Sequence, residues 1–169
     1  MKRLSDWGFH SASWKGERGE YWVLVQAILM LGYVLLPVYR PTWLRIEPPL
    51  LYGVWALAGV LFLLALVLIG KGLVDLGKNL TPLPYPKPEG ELVQTGIYSV
   101  VRHPLYSGVT LAAKAYAIGQ LSLSHFVAML LLFVFFNFKA NQEESWLSQK
   151  YPDYWEYRQR VKKLIPWVY

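Results

Sequence analysis

Three stretches of the chain carry residue types and spacings that could do chemistry. The first is GIYSVVRHPLYSG, residues 96–108. Pro104 suits the first position of a helix, where its missing N–H has no partner in any case and its φ is already helical. His103 then stands at the helix start, where unpaired amides and the positive end of the helix dipole favour a carboxylate or phosphate, and its imidazole adds a donor. Tyr106 follows on the same turn, and Gly108 leaves room for a ligand or a neighbouring helix to approach the backbone. An Arg-His-Pro sequence at a membrane boundary reads equally as a snorkelling cation and a helix cap. The second stretch holds Lys139, Glu143 and Glu144. Lys139 and Glu143 are four apart and share a helix face, with Glu144 one position round. Carboxylates so close to a membrane are costly to desolvate unless they bind something cationic, although a solvated Lys-Glu pair is the plainer alternative. The third, YPDYWEYRQRV, spaces Tyr151, Tyr154 and Tyr157 three apart. That stripe either covers a site or rests on the bilayer surface.

The elements that must position these residues are apolar. Residues 21–39 and 50–69 carry no charge, and each run is long enough to cross a bilayer as a helix. Joined by a short turn with Pro41, Pro48 and Pro49, they predict a membrane hairpin. From Gly70 to Arg102 the apolar pattern stops, and TPLPYPKP (residues 81–88) places proline at every second position, which forbids helix and favours an extended strand. Third and fourth spans are predicted from Pro104 to about Leu121 and from Ser122 or His125 to Phe138, with almost no loop between them. Each is short for a full crossing. The helix is expected to continue as a polar extension to about Lys150, before Pro152 introduces a last amphipathic segment ending in IPWVY.

The predicted fold class is therefore all-α, a polytopic membrane bundle of about four transmembrane helices in two hairpins with a C-terminal helical segment. It divides into a tail (residues 1–20), an N-terminal hairpin (21–69) and a catalytic part (70–169). Composition agrees, with 54% hydrophobic and only 17% charged residues, and eight Trp and twelve Tyr to settle at headgroup level. The net charge of +6 is scattered along the ends of apolar segments instead of forming a nucleic-acid stripe. Lys and Arg concentrate in the tail, in the long loop and after Phe138, while the short turns hold only Arg40 and Arg45, so an even number of spans places both termini and the active site in the cytoplasm. The N-terminus does not read as a cleaved signal peptide, and the first span doubles as the targeting element. With no cysteine, thiolate metal sites and cysteine nucleophiles are excluded. Lys114, inside the third span, either lines a tunnel or snorkels.

Taken in order, Leu92-Val93, Gly96-Ile97-Tyr98, Arg102-His103-Pro104-Leu105-Tyr106 with Gly108, Glu143-Glu144 with Leu147, then Tyr151, Tyr154, Tyr157, Val161 and Ile165-Pro166 resemble the isoprenylcysteine carboxyl methyltransferase and phospholipid methyltransferase superfamily of membrane enzymes. The resemblance covers the C-terminal half; the first two spans share only their apolar character. It implies an S-adenosylmethionine pocket at the cytoplasmic ends of the third and fourth spans, with cofactor contacts at Glu91, Leu92, Val93, Tyr98, His103, Pro104, Leu105, Tyr106 and Glu143, and no metal. Lys139 stands where the family has an acceptor-binding arginine, which keeps the charge and loses the two-pronged geometry. The implied reaction is methyl transfer to a lipophilic acceptor, a prenylcysteine-like carboxylate or a lipid. A carboxylate needs no base, and an amine or hydroxyl would call on Glu144, Tyr106 or His103. The competing readings are an NADPH-dependent membrane enzyme similar to sterol reductases, which close on a like Ile-Pro-aromatic sequence, and a non-catalytic lipid-binding protein that keeps the fold.

Overall fold

The computed structural model describes residues 18–169, so the reading of residues 1–17 as tail lies outside it. Among the described residues five α-helices follow one another: α1 (Glu20–Leu35), α2 (Pro48–Leu76), α3 (Pro104–Gly119), α4 (Leu123–Lys150) and α5 (Tyr154–Arg160). The described residues form no strand, only an isolated bridge between Val101 and Lys162. With α2 and α4 both long and apolar enough to cross a bilayer, the architecture is that of a helical membrane bundle, and the chain is a membrane protein. At 16 residues each, α1 and α3 are shorter.

Pro48 and Pro49 open α2, as proline at the first helical positions should. The helix does not stop with its apolar run at Ile69. It continues to Leu76 and tightens into a 3-10 turn at Gly77–Asn79, so the polar loop begins at Leu80 and not at Gly70. An ion pair one turn apart, Lys71–Asp75 at 3.0 Å, supports this extra length. Asp75 also accepts the Ile97 amide at 2.7 Å and so anchors the loop just before the third apolar element. The residue before Ile97 must be glycine, since Gly96 has φ +62° and a Cβ there would lie 2.1 Å from the Asp75 carboxylate.

Among the described residues α2 and α3 share the most extensive helix contact, and small residues set their distance. A Cβ on Gly108 would meet Ile69 at 2.6 Å and the Ala65 carbonyl oxygen at 3.0 Å, so the room at Gly108 is used by a helix and not by a ligand. Gly72 receives Pro104 and Leu105 in the same way. Gly108→Val should therefore lower the thermal midpoint of the detergent-solubilised protein by the equivalent of about 1–3 kcal/mol, the usual cost of overpacking. An unchanged midpoint would mean the crossing has slack.

Although consecutive, α1 and α2 pack on different neighbours, α1 on α4 and α2 on α3. One stripe of α1, Trp22, Gln26, Leu29 and Tyr33, faces the bundle, while much of the rest is exposed apolar surface suited to lipid. The α1–α2 connector is held at the end of the bundle remote from the polar loop. There Arg40 donates to the carbonyl and side-chain oxygens of Gln120 at 2.6 and 2.7 Å, and Leu123 N–H donates to the Tyr39 carbonyl at 2.9 Å. Ser122 caps α4, its hydroxyl accepting the His125 amide. From that cap α4 runs unbroken through its apolar stretch into the polar extension that begins at Lys139.

Candidate active site

The first residues to fix are Arg102 and His103. Their backbone amides donate to the carbonyls of Lys162 and Lys163 at 2.9 and 3.1 Å, which binds the chain end alongside the start of α3. Ser107 adds a bond to the Leu164 carbonyl at 2.6 Å. Pro104 has no N–H to offer, and in the same first turn of α3 the Leu105 and Tyr106 amides have no main-chain partner among the described residues. The His103 ring does not cap the helix. It turns instead to the extension of α4, with Nε2 3.1 Å from Glu144 Oε1 and Nδ1 3.6 Å from Glu143 Oε2.

Two adjacent glutamates thus meet one histidine from different sides. Glu144 is 4% exposed and enclosed by charge: Arg102 Nη2 lies at 2.8 Å and Arg158 Nε at 3.8 Å. Burial alone would raise its carboxyl, but hydrogen bonding and charge from His103 and Arg102 outweigh that and hold it at about 2. Arg102 also donates to the carbonyls of Arg158 and Val161, so one guanidinium joins α3, α4 and α5. A carboxyl depressed in the folded state stabilises fully above its unfolded pKa and ceases to do so as pH falls through the folded one. The thermal midpoint should accordingly drop between about pH 5 and pH 2, and Glu144→Gln should lose that part of the slope.

Glu143 has a different environment. Its Oε2 accepts the Tyr106 hydroxyl at 2.7 Å, and its Oε1 makes no hydrogen bond among the described residues. Tyr106 is the middle of a ladder of rings, stacked on His103 at 5.4 Å and on Phe136 at 5.0 Å. Lys139 approaches the same ring, its Nζ 5.1 Å from the centroid.

These groups line a cavity of about 440 Å³, within the range of small-molecule sites. The proline-rich loop forms one wall, tied to α4 by the Lys150 ammonium on the Lys87 carbonyl and the Tyr151 hydroxyl on Gly90 O at 2.6 Å. Tyr154 and Tyr157 close the polar end. The Tyr157 hydroxyl bonds Tyr98 O at 2.6 Å, and the Tyr98 hydroxyl reaches Gly72 O at 3.3 Å. Burial raises the pKa of all three phenols, so they are neutral donors at any ordinary pH. Tyr154 Oη is, among the described residues, the one buried side-chain polar atom with no hydrogen-bond partner.

Of the residues singled out in the sequence, Glu91, Leu92, Val93, Tyr98, His103, Pro104, Leu105, Tyr106, Lys139 and Glu143 line this cavity. Glu144 does not; it lies behind His103, where it can orient the ring but cannot reach a ligand. Glu91 lines the cavity while its carboxylate is paired with Lys78 at 3.0 Å. Lys114 is exposed and lies outside the lining. Sequence reasoning overlooked Gln26, whose amide oxygen accepts from Lys139 at 2.5 Å. The available signal was a lone glutamine in an otherwise apolar span.

A family model described as phospholipid methyltransferase matches residues 54–154, more than half of the chain, from within α2 to the start of α5. No curated protein matches it.

Proposed function

Since the chain belongs to the phospholipid methyltransferase family, we propose that it transfers the methyl group of S-adenosylmethionine to a lipophilic acceptor at the cytoplasmic face of a membrane. What carries this reading is the meeting of His103, Tyr106 and Glu143 around one cavity whose wall also includes Phe136 and Val109 from the apolar stretches of α4 and α3. The residues present fit the cofactor. Among the described residues Glu143 Oε1 and Tyr154 Oη have no hydrogen-bond partners, and they suit an ammonium or hydroxyl group and a hydrogen-bond acceptor, respectively. The Leu105 and Tyr106 amides suit a carboxylate, and the ring ladder suits a sulfonium.

When bound, the cofactor supplies an electrophilic methyl group. The protein's part is then to position and to exclude water. Tyr106, fixed between His103 and Phe136, keeps Glu143 in place through its hydroxyl, and Glu144 keeps His103 in place from behind. A carboxylate acceptor requires no proton removal. For an amine acceptor the groups within the cavity are His103, Tyr106 and Glu143, since Glu144 lies outside its lining with Oε1 taken by Arg102 and His103.

Topology fits four crossings with both described ends of the bundle's polar side in the cytoplasm. The α1–α2 connector meets the α3–α4 turn at the far end, as it must if the helices alternate in direction. At 16 residues, α1 and α3 span about 24 Å against a hydrocarbon core of roughly 30 Å. Local thinning of the bilayer around them would meet that mismatch.

Purified protein in detergent, titrated calorimetrically with S-adenosylmethionine and in parallel with NADPH, should bind the first and not the second. Incubation with methyl-labelled cofactor and a total membrane lipid extract should then place label in a lipid-soluble product. Binding without labelled product would favour a non-catalytic lipid-binding protein, and no binding at all would end the proposal.

A further inference from the structure

We infer that Trp167 and Val168 form an apolar wedge that enters the lipid leaflet on the polar side of the bundle, so that the segment after α5 is anchored in the membrane and does not hang in water. The inference rests on α4 crossing the bilayer and not on methyl transfer. Past α5 the chain descends along α3. The Lys162 and Lys163 carbonyls take the Arg102 and His103 amides, and the Leu164 carbonyl takes the Ser107 hydroxyl one turn further in. Residues 164–169 then close a tight turn, in which the Leu164 and Ile165 amides both donate to the main-chain oxygen of Tyr169 at 2.7 Å. This turn docks on α4 through polar atoms, since Asn137 Oδ1 accepts from Lys163 Nζ and from the Tyr169 hydroxyl, each at 3.0 Å. With its main chain bonded internally, the turn can lie in the interface at small polar cost.

Depth follows from α4. From Leu123 to Asn137 the helix rises about 21 Å, against a hydrocarbon core of roughly 30 Å. The polar contacts of Arg40, Gln120 and Ser122 at the Leu123 end keep that end from sinking below the far border. Asn137 therefore lies inside the near border, or at it where the bilayer thins to the length of α3. On the stripe of α4 that leads to Asn137, Leu130 and Val134 are exposed apolar residues, so the turn sits at the end of a lipid-facing surface. Trp167 is 82% and Val168 72% exposed there, and neither side chain takes part in the bonds that hold the turn. Trp167 also has φ +61°, a left-handed conformation that bulky residues rarely adopt. Strain of that kind persists where something outweighs it, and contact of the indole with acyl chains and headgroups does so. The same segment carries the carbonyls that fix Arg102 and His103, so the wedge ties the backing of the site to the bilayer.

The chain has no cysteine, so Val168→Cys carries a single nitroxide label. Lys162→Cys, exposed and before the turn, gives the water reference, and Leu63→Cys, exposed in the middle of α2, gives the hydrocarbon reference. In phosphatidylcholine vesicles, power-saturation spectra read collision of each label with oxygen, which concentrates in lipid, and with a water-soluble nickel chelate. The label at 168 should show an oxygen-to-nickel ratio several-fold above that at 162 and close to that at 63. Adding Trp167→Gly removes the indole and relieves the positive φ. The ratio at 168 should then fall toward the value at 162, while the thermal midpoint in detergent holds or rises. A turn with only a structural role predicts the same midpoint and an unchanged ratio. Trp167→Cys, read against the same references, decides the matter if Val168→Cys does not elute as a single species. A water-like ratio at 168, a label shielded from both reagents by a second copy or another protein, or a lipid-like ratio that survives Trp167→Gly would each overturn the inference. Failure to bind S-adenosylmethionine would count against methyl transfer alone, since depth is measured without it.

Discussion

Arg102→Ala should destabilise the protein by about 3–5 kcal/mol, the usual penalty for leaving one member of a buried ion pair alone. Arg102 meets Glu144 through both Nε and Nη2, at 2.9 and 2.8 Å, and both side chains are nearly inaccessible. Its removal leaves Glu144 facing His103 and the more distant, half-exposed Arg158. The same guanidinium carries the Arg158 and Val161 carbonyls, so the turn that leaves α5 also loses its anchor. Two measurements check this: the denaturation midpoint in detergent, and the rate at which a protease cuts after α5. Arg102→Lys should recover only part of the loss, because one ammonium cannot serve a carboxylate and two carbonyls in the plane of a fork. A midpoint within experimental error of the unaltered protein would show that the cluster is held from elsewhere.

Glu143→Ala should weaken cofactor affinity and methyl transfer by about tenfold to a hundredfold while leaving the fold intact, the range expected for losing charge-assisted hydrogen bonds. Its side chain is only partly enclosed, and among the described residues it accepts one hydrogen bond, from Tyr106, with His103 Nδ1 at 3.6 Å. Glu143→Gln separates the two contributions, since the amide oxygen can still accept from Tyr106 but carries no charge. If charge attracts the ligand, the glutamine variant should bind as poorly as the alanine variant. If Glu143 serves chiefly to fix the Tyr106 ring, glutamine should restore binding and alanine should not. Affinities unchanged in both would remove Glu143 from the site. Both variants keep the Arg102 and His103 hydrogen bonds that hold the Glu144 carboxyl low, so the acid slope of stability described for Glu144 should remain in each.

That contrast between neighbours also marks how far the sequence reaches. Uncharged runs of bilayer length were enough to establish helices and a membrane, since satisfying the backbone in lipid permits little else. Proline chemistry was local and equally readable: Pro104 opens a helix, and the alternating prolines of residues 81–88 keep helix out of the loop. The ordered motif carried the family, and the matched residues 54–154 contain it from Leu92 to Tyr154 while also reaching back into α2, which the motif did not include.

Tertiary structure alone decided which residues meet. Glu143 and Glu144 are alike in sequence, yet one helical step of about 100° turns one toward the cavity and buries the other behind His103. The pairing of α1 with α4 could not be read from composition, because apolar residues facing a helix and apolar residues facing lipid are the same residues. Gln26 therefore remained one uncharged position in a span until the packing brought it to Lys139. Periodicity records what each segment needs from its solvent; contacts between segments distant along the chain depend on the shapes of both partners, and those exist only once the helices are packed.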